Sequence, residues 1–555
     1  MAAESLRAAL AANRDVPDTA PGPFQDCRDV VHIAVFFDGT GNNNDADELS
    51  LKWSNVARLY RSALFAAQSD KSRTLYPIYI SGVGTPFNGK AVDWLSAAGV
   101  WAEDGVAGLG AGAGGDRRVE FAGDAVNERL REVLIANATA LGSSVAKYSV
   151  KSNKKSIAEL EAALAEHRHI KVINLSFFGF SRGAALARAF SNHVIAKCTR
   201  QGQRLLFQGY PVRLNFMGLF DTVASFGVPA QNARTPFTER ELTVSSEVER
   251  CVHYVAAHEL RFSFPVDLIR RNGKLSGDWV EKTYPGVHSD IGGGYPPKEQ
   301  GIDDNFARIP MREMMREALS SGVRIVSYED IKKTRLRAFT RQFECRPETE
   351  AAYGRYIRVC ASTGGTIEQQ IREHLKLYYS AHGTMHRRGI ETAGDRSRNA
   401  SKYKYLIGSK GMAYEIWAYR SVLKVGKWLR LSDNAVGGFA QYMQISDWQF
   451  AAWDSTAPDG AVDFVFRYVH DSKVDFMSNI EPFSYFRPRG VEESSISAWE
   501  EGGNWVRSTV GTIGKIVNQV TTSGNKKIVE TAEATAKDAE RIYESGIRWI
   551  QRKIK

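Results

Sequence analysis

The sequence predicts an α/β protein built on a mixed or mostly parallel sheet, and three observations carry that prediction. Short apolar, β-prone runs alternate with segments of helical periodicity through the first half of the chain. Those runs end in polar, glycine-rich loops, as at Asp38-Gly39-Thr40-Gly41-Asn42. Open α/β sheets place their active sites at such strand ends. One run, residues 172–178, crosses Gly179-Phe180-Ser181-Arg182-Gly183 straight into a pattern with Leu186, Ala189, Phe190 and Val194 at helical spacing.

The elements follow in order. Residues 1–30 read as a short helix and a Pro-rich linker. Residues 31–37, VHIAVFF, are a buried strand, and Val56, Leu59, Tyr60 and Leu64 mark the helix after it. A second strand spans 75–80 and leads into Ser81-Gly82-Val83-Gly84-Thr85. The glycine cluster at 98–116 lacks the GK[ST] ending of a phosphate-binding loop and reads as a lid or a loop beside the site. Helical patterns occupy 120–142 and 155–167. Beyond the Gly-Phe-Ser-Arg-Gly turn, residues 212–220 form a strand with Asp221 directly behind it. Residues 279–287 form a last strand that delivers His288. The catalytic domain is thus expected at 31–304. A helical insertion is expected at 305–440, a return to the catalytic module as irregular sheet and loops at 441–500, and a C-terminal helical segment at 501–555.

A strand, G-x-S-x-G and helix in succession is the context of a nucleophile elbow. The serine must sit on a sharp turn, so its neighbours two residues away must be glycine. The helix that follows aims its first N–H groups at the turn, where an oxyanion would develop. The bland reading is a Gly/Ser loop between a core strand and a helix. Asp221 alone reads as a helix cap and His288 alone as a satisfied loop histidine. Their joint order, serine then aspartate then histidine, is the chain order of α/β-hydrolases. Ser181 is therefore the expected nucleophile, His288 the general base and acid, and Asp221 the carboxylate that orients the imidazole. The oxyanion hole would use the Arg182 N–H and an N–H from Gly39–Thr40. Asp290, two residues from His288, and His470, in His470-Asp471-Ser472, are the competing triad members. Asp38 either meets a cation or bonds within its loop. One carboxylate is too little for a metal site, and no metal or cofactor is expected.

Composition narrows the partners. The chain has 555 residues, too many for one compact domain, a net charge of +10 and five cysteines without metal-ligand spacing. The odd cysteine count argues against a complete disulfide framework and fits a reducing cytosol. The basic balance suits anionic surfaces such as lipid head groups, whereas no zinc-finger or RNP signature accompanies it, so no nucleic-acid partner is expected. No Sec-type leader and no run of eighteen apolar residues is present. The expectation is synthesis in the cytoplasm and export by a route without a cleaved signal. In residues 413–431, Arg420, Lys424, Lys427 and Arg430 share one helical face, Ala418, Val422, Val425 and Leu429 lie opposite, and Trp417 and Trp428 line an edge. That combination fits a helix lying in a membrane interface, with a solvated surface helix as the bland alternative.

HIAVFFDGTGNN, SNVARLY, SFFGFSRGAALAR, LFDTVASFG and YPGVHSDIGGGY, in this order, resemble the Tle1-like catalytic domain, with a weaker echo in YVHDSKVDF and YFRPRG. The resemblance covers about residues 30–300. It implies an α/β-hydrolase fold, a serine esterase mechanism and phospholipase A activity on bacterial membranes, directed at the bilayer of a target cell reached from its periplasmic side. It also implies an antibacterial effector carried on a type VI secretion spike and a cognate immunity protein. Two other readings stand beside it: a soluble esterase of small acyl esters, and a non-catalytic adaptor on a hydrolase fold. The intact elbow argues against the adaptor, and the basic, Trp-flanked helix argues against the soluble esterase. Whether the sn-1 or the sn-2 bond is cut depends on groove shape.

Overall fold

The computed structural model describes residues 28–70, 74–85, 115–140, 169–224, 242–261, 264–271, 273–334, 336–361, 364–397, 407–428, 445–474, 484–487 and 489–491. The expected N-terminal segment, the helix at 155–167, the C-terminal segment and all but the end of the 98–116 glycine cluster lie outside these residues.

Eight strands form one sheet: β1 (Arg28–Phe37), β2 (Leu75–Ile80), β3 (His169–Phe180), β4 (Thr199–Gln201), β5 (Arg204–Phe207), β6 (Tyr210–Phe220), β7 (Cys251–Ala256) and β8 (Val280–Tyr284). Six run parallel in the order β2-β1-β3-β6-β7-β8. β4 and β5 make an antiparallel hairpin on the N-terminal end of β6, leaving its C-terminal half to pair with β7. From β1 the chain winds to β2 on one side, and from β3 it winds toward β8 on the other. The reversal between β1 and β3 is the topological switch point, where α/β sheets open a crevice at the strand ends.

Side-chain alternation explains the three layers. Val31, Ile33, Val35 and Phe37 of β1 join Ile173, Leu175 and Phe177 of β3 and Met217 and Leu219 of β6 on one face. Ala122, Val126 and Leu130 of α2 (Gly115–Ala140) and Leu186 and Phe190 of α3 (Arg182–Ala196) cover that face. Phe36, Phe178, Phe216 and Phe220 point the other way, to Val56, Leu59 and Ala63 of α1 (Asn55–Ser69). Ser54 caps α1 by accepting from Ala57 N–H at 2.9 Å. Asn55 then ties α1 to the segment that follows β8, donating to Ile291 O at 2.8 Å and Ala307 O at 2.9 Å.

Helices dominate after the sheet: α4 (His288–Gly292), α5 (Arg308–Ser320), α6 (Tyr328–Lys333), α7 (Arg337–Phe343), α8 (Pro347–Val359), α9 (Ile367–Arg387), α10 (Gly408–Trp428), α11 (Asp447–Asp454) and α12 (Asp459–Tyr468). Two corrections follow. Residues 447–468 are helical, not irregular sheet: a Ser446–Gln449 capping box starts α11, and Pro458 precedes α12. Pro458 there marks the start of a helix. Second, Phe36, Phe178 and Phe216 of the sheet share one continuous core with Tyr356, Tyr378, Ile416 and Phe464, so the expected helical insertion is packed onto the sheet. Among the described residues no helix is long and apolar enough to cross a membrane.

Candidate active site

Ser181 sits between β3 and α3 at φ 59° and ψ −128°, a conformation that residues other than glycine avoid. Its N–H donates to Phe220 O at 3.0 Å, fixing the turn to the end of β6. Its hydroxyl makes no capping bond to the helix it heads. Both flanking glycines are required by contact. A Cβ on Gly183 would lie 2.3 Å from Asp38 O, and one on Gly179 would lie 2.4 Å from Ala184 Cα. The turn is thus pressed against the end of β1 on one side and its own helix on the other.

Asp221 follows β6, and His288 opens α4 after β8. Their side chains meet: His288 Nδ1–H donates to Asp221 Oδ2 at 2.5 Å. The His288 ring lies 4.7 Å from the Phe180 ring and 5.0 Å from that of Phe264, which brings it against the residue preceding Ser181. Its Nε2 is buried and bonds to none of the described residues. The ends that bear Asp221 and His288 are not successive. β7 lies between them in sequence and in the sheet, a six-residue, wholly buried strand that the sequence reading passed over. Short apolar runs carry no periodicity to mark them.

Asp221 accepts two further bonds from Arg489, at 2.6 Å on Oδ1 and 2.7 Å on Oδ2, and one from Ala256 N–H at 2.8 Å. Burial alone would raise its pKa, but the Arg489 guanidinium and the His288 contact outweigh burial and hold it well below the usual carboxylate range. His288 is shifted the other way from a salt-bridged histidine. Burial lowers its pKa, and Asp221 only partly restores it, so the imidazole is neutral at neutral pH. Behind it, Glu259 accepts the His288 N–H at 3.2 Å and is forked by Arg261 at 2.9 Å on each oxygen. Burial opposes ionisation of Glu259, yet Arg261 holds it down to about 2.

The competing residues form a pair of their own. His470 Nδ1–H donates to Asp290 Oδ1 at 2.5 Å, and its ring stacks on Tyr295 at 3.8 Å. Asp290 Oδ2 also accepts from Val287 N–H at 3.0 Å. The His470 side chain is fully buried. In the Gly39–Thr40 loop, Gly39 N–H is donated to Asp38 Oδ1 at 2.7 Å, and Thr40 Oγ1 accepts from Arg182 Nε at 2.6 Å. Asp38 also accepts from the Tyr79 hydroxyl. Burial raises its pKa to about 6. Among the described residues no cluster of three or more His, Cys, Asp or Glu side chains could hold a metal ion.

The sequence profile described as the type VI secretion system phospholipase effector Tle1-like catalytic domain matches residues 32–199 and 195–317. Together these stretches span about half of the 555 residues. The chain belongs to this Tle1-like family. A crystal structure of an uncharacterized protein from Pseudomonas aeruginosa is 22% identical, covers 89% of this chain and 82% of its own, and superposes with a TM-score of 0.62. The two share a fold. A structure of the Tle1 effector bound to the VgrG spike of the type 6 secretion system is 18% identical over 63% of this chain and 84% of that one, with a TM-score of 0.36. No curated protein matches the chain.

In this Tle1-like chain the matched region holds Ser181, Asp221 and His288, whereas Arg489 lies far beyond it. The sequence reading assigned Arg489 no role. The only signal was its place in the YFRPRG echo. The helix predicted at 413–431 begins earlier, at Gly408. Ala418 is buried, and Trp417 is 49% exposed. Arg420 is not a free cation: it pairs with Asp454 of α11. The side chains of Lys424, Lys427, Trp428 and Arg430 lie outside the described residues.

Proposed function

We propose that the protein is a serine phospholipase of the A type that cleaves glycerophospholipid acyl esters, and that it acts as an antibacterial type VI effector. The observation that carries this reading is the strained, uncapped Ser181 at the head of α3, with the buried His288–Asp221 pair packed against its neighbour Phe180. Ser181 Oγ attacks the ester carbonyl while His288 Nε2 takes its proton. The oxyanion is met by the Arg182 N–H and by Thr40 N–H, since Gly39 N–H is given to Asp38. His288 then returns the proton to the departing glycerol oxygen. Water cleaves the acyl-enzyme by the same proton route and releases the fatty acid.

Access to a lipid surface is supported by exposed apolar side chains. Leu49, 98% exposed, and Leu51 stand on the loop that follows Gly39–Thr40, and Trp417 stands on α10. The family description motivates the remaining partners: a secretion spike as carrier, an immunity protein in the producing cell, and the periplasmic face of the target membrane.

The test is incubation with mixed-chain phospholipid vesicles and identification of the released fatty acid, which also assigns the sn position. Wild type is expected to release one fatty acid and Ser181→Ala none. A serine-reactive phosphonate is expected to label Ser181 alone. Hydrolysis retained by folded Ser181→Ala, or labelling elsewhere, would remove the reading.

A further inference from the structure

Arg489 reaches Asp221 from 268 positions further along the chain, and its side chain is almost fully buried. Its Nη2 also donates to Ala256 O at 2.7 Å, so the guanidinium bridges the end of β7 and the carboxylate. The segment that carries it is pinned on both sides. Gly490 O accepts from Val266 N–H at 2.9 Å, and Val491 bridges Val266. Upstream, Tyr485 N–H donates to Glu415 Oε1 of α10 at 3.1 Å, and the Ser484 hydroxyl donates to Oε2.

A carboxylate in such a pair needs only a few neutral donors to be oriented. A buried guanidinium adds charge, at a desolvation cost that a merely structural contact does not require. The groups facing His288 clarify what that charge does. Asp221 and Arg489 form one paired set, Glu259 and Arg261 from the loop after β7 form a second, and Asp290 on its own helix is committed to His470. The rings of Phe180 and Phe264 also pack against it. Asp221 and Glu259 are therefore each matched by an arginine, and Asp290 by a histidine.

We propose that Arg489 is a positioning residue: its two-point grip fixes the Asp221 oxygen that orients His288, and its charge offsets that of Asp221, so that burial can hold His288 in the neutral, proton-accepting form. The proposal rests on the serine-hydrolase reading for its catalytic consequence, though not for its electrostatic one. Removing the guanidinium leaves Asp221 uncompensated, which favours the imidazolium and raises the pH at which His288 loses its proton.

Two readouts separate these claims. In a Ser181→Ala background, the imidazole signals of the full chain are followed by NMR against pH, with His288 assigned by its loss in His288→Gln. Arg489→Met is expected to move the His288 midpoint upward, and Arg489→Lys to leave it near its parent value. With Ser181 intact and a short soluble ester, the acid limb of kcat/KM is expected to move up with it in Arg489→Met. Arg489→Lys should keep the limb while kcat falls about 10- to 100-fold, because a single ammonium cannot reproduce the fork. A folded Arg489→Met with an unmoved His288 midpoint overturns the charge role. Should that variant not fold, Arg489→Lys decides: a wild-type kcat in it overturns the positioning role, and a shifted midpoint in it overturns the charge role. Activity surviving in Ser181→Ala would instead sink the serine-hydrolase reading, and the NMR titration would still stand.

Discussion

Ser181 holds a backbone conformation that costs a non-glycine residue about 1–3 kcal/mol. The strain is tolerated because Phe220 O, Asp38 O and the first turn of α3 over-determine the turn. Ser181→Gly is therefore expected to abolish ester hydrolysis while unfolding at a temperature no lower than wild type, the relief of strain offsetting the extra freedom of the unfolded chain. Calorimetry and an ester assay on one preparation test this, and a Tm lowered by several degrees would contradict it. The two imidazoles divide similarly. His288→Ala is expected to lose activity as deeply as Ser181→Ala. His470→Ala should retain turnover but melt earlier, since it strands the buried Asp290 carboxylate. Near wild-type turnover in folded His288→Ala, with collapse in His470→Ala, would make His470 the base.

At the scale of elements, the site is a junction of strand ends held by close backbone approach. Gly183 lets α3 lie against the carbonyls of Phe37 and Asp38. Gly183→Ala is expected to push α3 away from β1 and cost about 1–3 kcal/mol by overpacking, with a large loss of kcat as Arg182 N–H leaves its place. Urea unfolding and kinetics together check it; an unchanged midpoint would show that the junction yields. For α10, burial of Met412, Ile416 and Tyr419 explains the helix without any membrane. The exposed Trp417 and the Leu49–Leu51 loop are among the features that packing leaves unexplained. Trp417→Ala combined with Leu49→Ser is expected to weaken vesicle binding several-fold while sparing a short soluble ester. Unchanged vesicle affinity would reduce both to ordinary surface residues.

Across the whole molecule, acid stability draws on a buried histidine chain that starts at the turn before His288. Gly286 N–H donates to His258 Nδ1, so His258 Nε2–H donates to the Tyr356 hydroxyl, which in turn donates to His374 Nδ1. Burial lowers His374 to about 3 and His382 to about 4, and holds His258 well below its ordinary value. The unfolded chain takes up these protons near pH 6.5 and the folded one does not, so this contribution is complete above pH 6.5 and is lost as pH falls toward 4 and below. Asp38 acts with the opposite sign: burial lifts it to about 6, so its contribution belongs to acid and fades as pH rises through that value. Burial raises Glu415 and Asp471 as it does Asp38, but four histidines lowered by burial oppose these three carboxylates, His32 among them at about 4, and Tm is expected to fall on acidification from pH 6.5 to pH 4. His382→Gln should flatten that slope, and a slope unchanged in it would place acid sensitivity elsewhere.

What the sequence determined by itself was local. The buried strand, the glycine-flanked serine and the helix behind it lie in one continuous run, and residues 172–194 therefore disclose the elbow without reference to the rest of the chain. Asp221 and His288 were legible for a similar reason, Asp221 sitting directly behind a strand and His288 a three-residue turn after one. Pairing was decided only in three dimensions. Asp290 is two residues from His288 and yet holds His470, while His288 reaches back to Asp221. Residues two apart on a helix face away from each other, so α4 turns His288 and Asp290 toward different partners. Arg489 was hidden altogether, because no periodicity or spacing records a contact between residues that only folding brings together, and a buried charge becomes intelligible once the opposite charge beside it is known.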